Sequence, residues 1–212
     1  MKTIQCVCMC IAMLGIQSAA LAHYIIGSDT FPDHAFDNAI VNASNDLLAK
    51  SDLATLNYWL RTLTNELILD GTTGAAGIEV GDNSPSSFLK IEFSNTSVVN
   101  GPGNDIAIYE AGSPETFGVV INGISRWVTT DTELHPWWVG IGYVNLDDFG
   151  ITQGGVVNSI TLTGSIDPSE GTCHPDLIAV GSFYVPEPAT LLLLGLGGMT
   201  LIRRQKRKNK AK

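Results

Sequence analysis

The chain has 212 residues, of which 44% are hydrophobic and 16% charged, a balance that excludes both disordered polyelectrolytes and collagen-like chains. Its net charge of −9 conceals a partition: seven of the 12 basic residues crowd the last ten positions, and residues 23–185 hold four, Lys50, Arg61, Lys90 and Arg126, against 20 acidic ones. The resulting −16 excludes nucleic-acid binding through the phosphate backbone.

Residues 1–22 read as a secretory signal helix. Lys2 gives the positive start, residues 4–16 an apolar stretch too short to span a bilayer comfortably, and Ala20 and Ala22 the small side chains a signal peptidase requires. Cleavage after Ala22 makes His23 the new N-terminus. Cys6, Cys8 and Cys10 follow Gln5, Val7 and Met9, which is not the small-residue context of a lipidated cysteine. They leave with the signal, so Cys173 remains alone in an oxidising compartment with no partner for an intramolecular disulfide.

Residues 23–184 read as one acidic domain. Within it, Leu53, Leu56, Leu60 and Leu63 recur at three and four residues, which predicts a helix over about 46–63 capped by Ser44 or Asn45. Past Gly71 the chain breaks into short β-rich runs, at 88–93, 106–110, 117–121, 137–144, 156–163 and 177–184. Leu89, Ile91 and Phe93 alternate with Lys90 and Glu92, the pattern of a half-buried antiparallel strand. Turn elements such as Asn122-Gly123 and Gly112-Ser113-Pro114 recur between the runs. The predicted fold is all-β, or mainly β with one short helix: an antiparallel β-sandwich of jelly-roll type.

Four kinds of chemistry are considered for this domain. Hard cations take several oxygen ligands, so the acidic surplus favours Ca²⁺. Asp105 and Asp176 each stand where a loop meets a strand, and they would share one ion if those strands are neighbours. Asp147 and Asp148 are a second pair, and Glu110 is set aside because a separation of five from Asp105 places it on the other face. The same aspartates also suit turn capping, and both readings stand at this point. Trp137 and Trp138 suggest carbohydrate binding, since aromatic faces stack on sugar rings; neighbours in a strand point opposite ways, so one belongs to the core. Trp127, Tyr109 and Tyr143 lie nearby in sequence. For Zn²⁺ the material is His23, His34, His135, His174 and Cys173, with Asp33 and Asp37 beside His34, at no spacing typical of a zinc site. No Gly-x-Ser-x-Gly elbow, paired-carboxylate signature or cysteine-nucleophile context supports hydrolysis.

The C-terminal segment, 185–212, runs Val185-Pro186-Glu187-Pro188, then an apolar stretch at 189–202, then the basic cluster. Fourteen residues make a helix of about 21 Å, short for a bilayer core of about 30 Å, and the basic run holds the tail's end on the cytoplasmic side. These three parts in order resemble the PEP-CTERM sorting signal of Gram-negative bacteria. The resemblance implies recognition and processing by an exosortase in the inner membrane after general secretion, membrane contact through 189–202 before processing, and a final place at the cell surface or in the extracellular matrix. A looser resemblance covers about 86–184. Gly101-Pro102-Gly103-Asn104-Asp105-Ile106, Asp147-Asp148-Phe149-Gly150 and Pro175-Asp176-Leu177 are similar to an ectodomain type of PEP-CTERM surface proteins, which implies a β-sandwich without an established activity. The expected role is therefore a non-catalytic surface or matrix protein that touches polysaccharide or neighbouring proteins, with no certain cofactor and calcium as the candidate. A secreted glycan hydrolase and a passive structural protein are the alternatives.

Overall fold

The structure is a computed structural model that describes residues 23–70, 77–80, 87–94, 97–112, 114–130, 132–134, 139–167, 171–173 and 175–184. The predicted signal and sorting segments, with Ala20, Ala22, Val185, Pro186, Glu187 and Pro188, lie outside these residues.

The domain begins with a hairpin of β1 (His23–Ile26) and β2 (Asp29–Pro32), followed by β3 (Asn38–Ala43) and two helices, α1 (Asn45–Lys50) and α2 (Leu53–Asp70). The strands that follow are β4 (Ile78–Glu79), β5 (Phe88–Phe93), β6 (Val98–Val99), β7 (Ile106–Ala111), β8 (Thr116–Ile121), β9 (Ile124–Thr129), β10 (Thr132–Leu134) and β11 (Val139–Val144). A 3-10 turn, Leu146–Phe149, leads to β12 (Val156–Val157), β13 (Ser159–Thr163), β14 (Ser165–Asp167), β15 (Gly171–Cys173) and β16 (Asp176–Ser182).

Two five-stranded antiparallel sheets carry the fold, in the orders β10-β11-β7-β16-β4 and β3-β5-β13-β8-β9. One apolar cluster joins them, as expected of a sandwich. In β5 the alternation predicted from sequence is observed: Leu89 and Ile91 are fully buried and Lys90 and Glu92 are not. In β7 every residue from Ile106 to Glu110 is buried, so both faces of the first sheet are covered. One face meets the second sheet. The other is covered by the N-terminal hairpin, whose Phe31 stacks on Phe183 at 4.7 Å and approaches Tyr109 edge-on at 6.3 Å. Gly181 makes this possible, because a Cβ there would stand 2.7 Å from the Phe36 ring.

The helical region differs from the expectation. A single helix over 46–63 is replaced by two, broken where Ser51 takes an extended conformation. Asp52 starts the second helix by accepting a hydrogen bond from Thr55 N at 2.7 Å, which holds its carboxyl below the usual range. Ser44 does not cap with its side chain; its Oγ accepts from Phe88 N. In α2 the stripe of Leu56, Leu60 and Leu63 continues to Leu67, all buried, each side chain contributing roughly 1.5–3 kcal/mol by burial. The helix packs on β16 of the first sheet and along β3, the edge of the second. There the register shifts between Ile40 and Asn42, and the freed Ile40 amide and carbonyl bond the Asn57 side chain, each at 2.8 Å. A helical side chain thus closes a sheet edge that would otherwise be open to pairing.

The hairpin β8–β9 follows from Asn122-Gly123, which take φ values of 50° and 80° and connect Ile121 directly to its partner Ile124, as a two-residue type I′ turn requires.

Candidate functional site

Asp105 precedes β7 and is fully buried. Its Oδ1 accepts from Gly101 N and its Oδ2 from Leu146 N, each at 2.7 Å. Its own amide donates to Val144 O and its carbonyl accepts from Phe183 N, both at 2.8 Å. Burial pushes its carboxyl upward against the pull of the two amides, and Asp147 adds to the rise. Beside it, Asn100 Nδ2 donates to Asp147 Oδ1 at 2.8 Å and Ile151 O at 2.6 Å. Asp105 is a pin that holds three chain segments together.

Asp176 opens β16, which is indeed the neighbour of β7. The pairing is antiparallel, with Ser182 opposite Ile106 and Leu177 opposite Glu110. The two aspartates therefore stand at opposite ends of the pair, separated by about 20 Å of strand at roughly 3.3 Å per residue. No single ion reaches both. Among the described residues no three His, Cys, Asp or Glu side chains are grouped to hold a metal.

The carboxyl that sequence reasoning set aside occupies a more unusual place. Glu110 points between the sheets at the Asp176 end and is fully buried. Its Oε1 accepts from Thr130 Oγ1 at 3.0 Å, while Oε2 has no hydrogen-bond partner. Gly140 makes the space, since a Cβ there would collide with Glu110 Oε1 and Thr130. Burial pushes the Glu110 carboxyl up to about 7, against the Thr130 hydrogen bond and with Glu115 and Asp176 adding to the rise. An acidic residue closing the apolar run Ile106-Ala107-Ile108-Tyr109 was the signal in the sequence.

Trp137 and Trp138 lie outside the described residues, as do His135 and His174. Of the other aromatic residues considered, Tyr109 is fully buried and Trp127 is 62% exposed. Trp127 stands on β9, opposite Gly118 of β8, and Gly118 is opposite Thr163 of β13. Phe117, Val119 and Ile121 alternate with Gly118 and point into the core, so this row lies on the outer face. A Cβ on Gly118 would meet the Thr163 hydroxyl and come within 3.4 Å of the Trp127 ring. Thr116 and Thr129, whose hydroxyls are 2.8 Å apart, flank the row on one side. Ser125, Val120 and Thr161 flank it on the other. The surface is one exposed indole ring beside bare backbone within a field of hydroxyls.

A groove of about 370 Å³ lies between α2 and the β2–β3 turn. Among the residues suggested for zinc, it gathers His34 and Asp37, bonded at 2.8 Å.

The comparisons with known proteins bear on the tail. Residues 185–208 match the family model of the PEP-CTERM protein-sorting motif. No curated protein and no solved structure matches the chain.

Proposed function

We propose that this chain, which carries a PEP-CTERM sorting motif and is exported by that route, is a non-catalytic envelope protein. Its sandwich contacts extracellular polysaccharide through the outer face of the second sheet. The exposed Trp127 over Gly118 carries the reading: an aromatic face gives sugar rings an apolar platform, and surrounding hydroxyls supply hydrogen bonds. The face carries few charges within a domain of net −16, which suits a neutral or weakly charged polymer surface. Calcium enters as a bridge between this acidic domain and anionic stretches of polymer, rather than as an ion shared by Asp105 and Asp176.

Trp127→Ala in the exported protein is expected to abolish retardation in native gels cast with the host's extracellular polysaccharide, with an unchanged circular-dichroism spectrum. Equal retardation of wild type and variant would overturn the reading. Repeating the gel in millimolar Ca²⁺ and in chelator tests the bridge, which predicts stronger retardation with Ca²⁺.

In the sorting half of the proposal, 189–202 sit in the inner membrane before processing, with the basic cluster cytoplasmic. Among the described residues no helix is long and apolar enough to cross a membrane. Replacing Pro186, Glu187 and Pro188 together by alanine is expected to leave export intact and retain the tail, seen as a heavier species in the membrane fraction. Identical mass and location would sink exosortase processing.

A further inference from the structure

The groove between α2 and the β2–β3 turn is a mixed surface rather than an apolar one. Arg61, Thr64 and Asn65 come from α2, Tyr24 from β1, and His34, Phe36 and Asp37 from the turn. Its volume of about 370 Å³ falls at the lower end of the roughly 300–1,000 Å³ typical of small-ligand sites. Tyr24 and Phe36 meet edge to face at 6.0 Å and form an aromatic wall.

The charges decide what this groove would take. Three basic side chains of the domain are described. Lys90 pairs with Glu92 at 3.4 Å, and Arg126 donates to the carbonyls of Asp148 and Ser125. Among the described residues, Arg61 alone of the three has no hydrogen-bond or ion-pair partner. The carboxylate in the groove, Asp37, is held by His34 Nδ1 at 2.8 Å. The turn that brings them together places His34 at φ 67°, in the left-handed region, where a residue with a Cβ costs on the order of 1 kcal/mol or more. A guanidinium with no partner among the described residues, beside an aromatic wall, fits a compact anion with an apolar ring face, held by this local charge against the net −16 of the domain.

We propose that this groove binds the uronic-acid class of sugar unit, with Arg61 on the carboxylate through two parallel hydrogen bonds. Tyr24 and Phe36 lie against the ring, and Asn65 and Thr64 face its hydroxyls. The site is separate from the Trp127 face and does not depend on polymer binding there.

Saturation-transfer NMR on the exported protein tests it, with D-glucuronate, D-glucose and acetate as separate probes. Glucuronate is expected to bind, glucose and acetate at least about tenfold more weakly, because each lacks one half of the recognition. Arg61→Ala should weaken glucuronate by about tenfold or more, and Arg61→Lys should weaken it less, since the charge stays and the fork is lost. Trp127→Ala should bind glucuronate as wild type does, so failure of the polymer reading leaves this result standing, and the reverse. Arg61 is exposed on the helix, so a melting curve like that of wild type is expected for both Arg61 variants. Equal binding of glucuronate and glucose, undiminished binding by Arg61→Ala, or no binding of glucuronate would each overturn the proposal. Binding of acetate as tight as glucuronate would reduce the groove to a general anion site and overturn the sugar assignment.

Discussion

Asp105 and Glu110 stand at the two ends of β7, both fully buried, and burial raises both carboxyls. At the Asp105 end each oxygen receives a backbone amide. At the Glu110 end one oxygen receives a threonine hydroxyl and the other nothing. A buried carboxylate is stabilised by the donors aimed at it and penalised by the water it has lost. The same residue chemistry thus gives a structural pin at one end and a proton-binding group at the other.

The contrast breaks most severely with Asp105→Ala. Two buried amides lose their acceptor, and destabilisation of about 3 kcal/mol or more is expected, read as a large drop in denaturant midpoint or failure to accumulate folded protein. A change below about 1 kcal/mol would show that the amides find other partners. Gly140→Ala attacks the other end sterically, because its Cβ collides with Glu110 and Thr130. A loss of roughly 1–3 kcal/mol is expected, and adding Glu110→Ala should recover part of it.

Glu110→Gln sharpens the comparison through pH. The folded carboxyl titrates near 7 against an ordinary value of 4.5, so the folded chain holds this proton more tightly than the unfolded chain. Its contribution to stability is whole below about pH 4.5, falls as the pH rises towards 7, and stays lost above that. The glutamine variant lacks this titration. Relative to wild type it should gain on the order of 2 kcal/mol between pH 4.5 and pH 8, measured by urea melts at both. Parallel curves at the two pH values would refute the assignment. The smallest effect is expected from Asp176→Asn, which removes a lesser cause of the upward shift: the ionised Glu110 is then less opposed, so the fall in stability should be slightly smaller and end at a slightly lower pH in the same urea melts.

Much of the fold was legible locally. Strand β5 announced itself through Leu89, Ile91 and Phe93, and the Asn122-Gly123 dipeptide marked a hairpin turn whose second strand, β9, was nonetheless missed. Ser125, Arg126 and Trp127 lie exposed there, so no buried face imposes period-two apolarity on the strand. The N-terminal hairpin was missed for a related reason: it contributes Phe31 and Ile26 to the core but works as a cover over a sheet, which asks for one or two aromatic contacts rather than a repeating pattern. Two helices replaced one because Asp52 caps a new start, a choice that local leucine spacing does not record.

The candidate sites were less legible. Asp105 and Asp176 look alike in sequence, each a turn aspartate before an apolar strand, and their strands do pair; antiparallel register then sends them to opposite ends. Glu110 was set aside by correct strand arithmetic relative to Asp105, and that arithmetic is silent on what fills the space around it. Arg61 is one of only four cations in residues 23–185, a visible rarity, yet the groove beside it exists only where α2 meets the β2–β3 turn.

What the amino-acid order determined by itself is the sorting tail and the antiparallel sandwich, because a sorting motif is read as a contiguous segment and alternation is a property of neighbours along a strand. Which carboxyl is satisfied, which is left to hold a proton, and the setting of the exposed Trp127 over Gly118 were decided by the tertiary structure. Those outcomes depend on groups brought together from distant parts of the chain, Asp105 with Leu146 and Glu110 with Thr130, and on how completely each pairing replaces the water it expels.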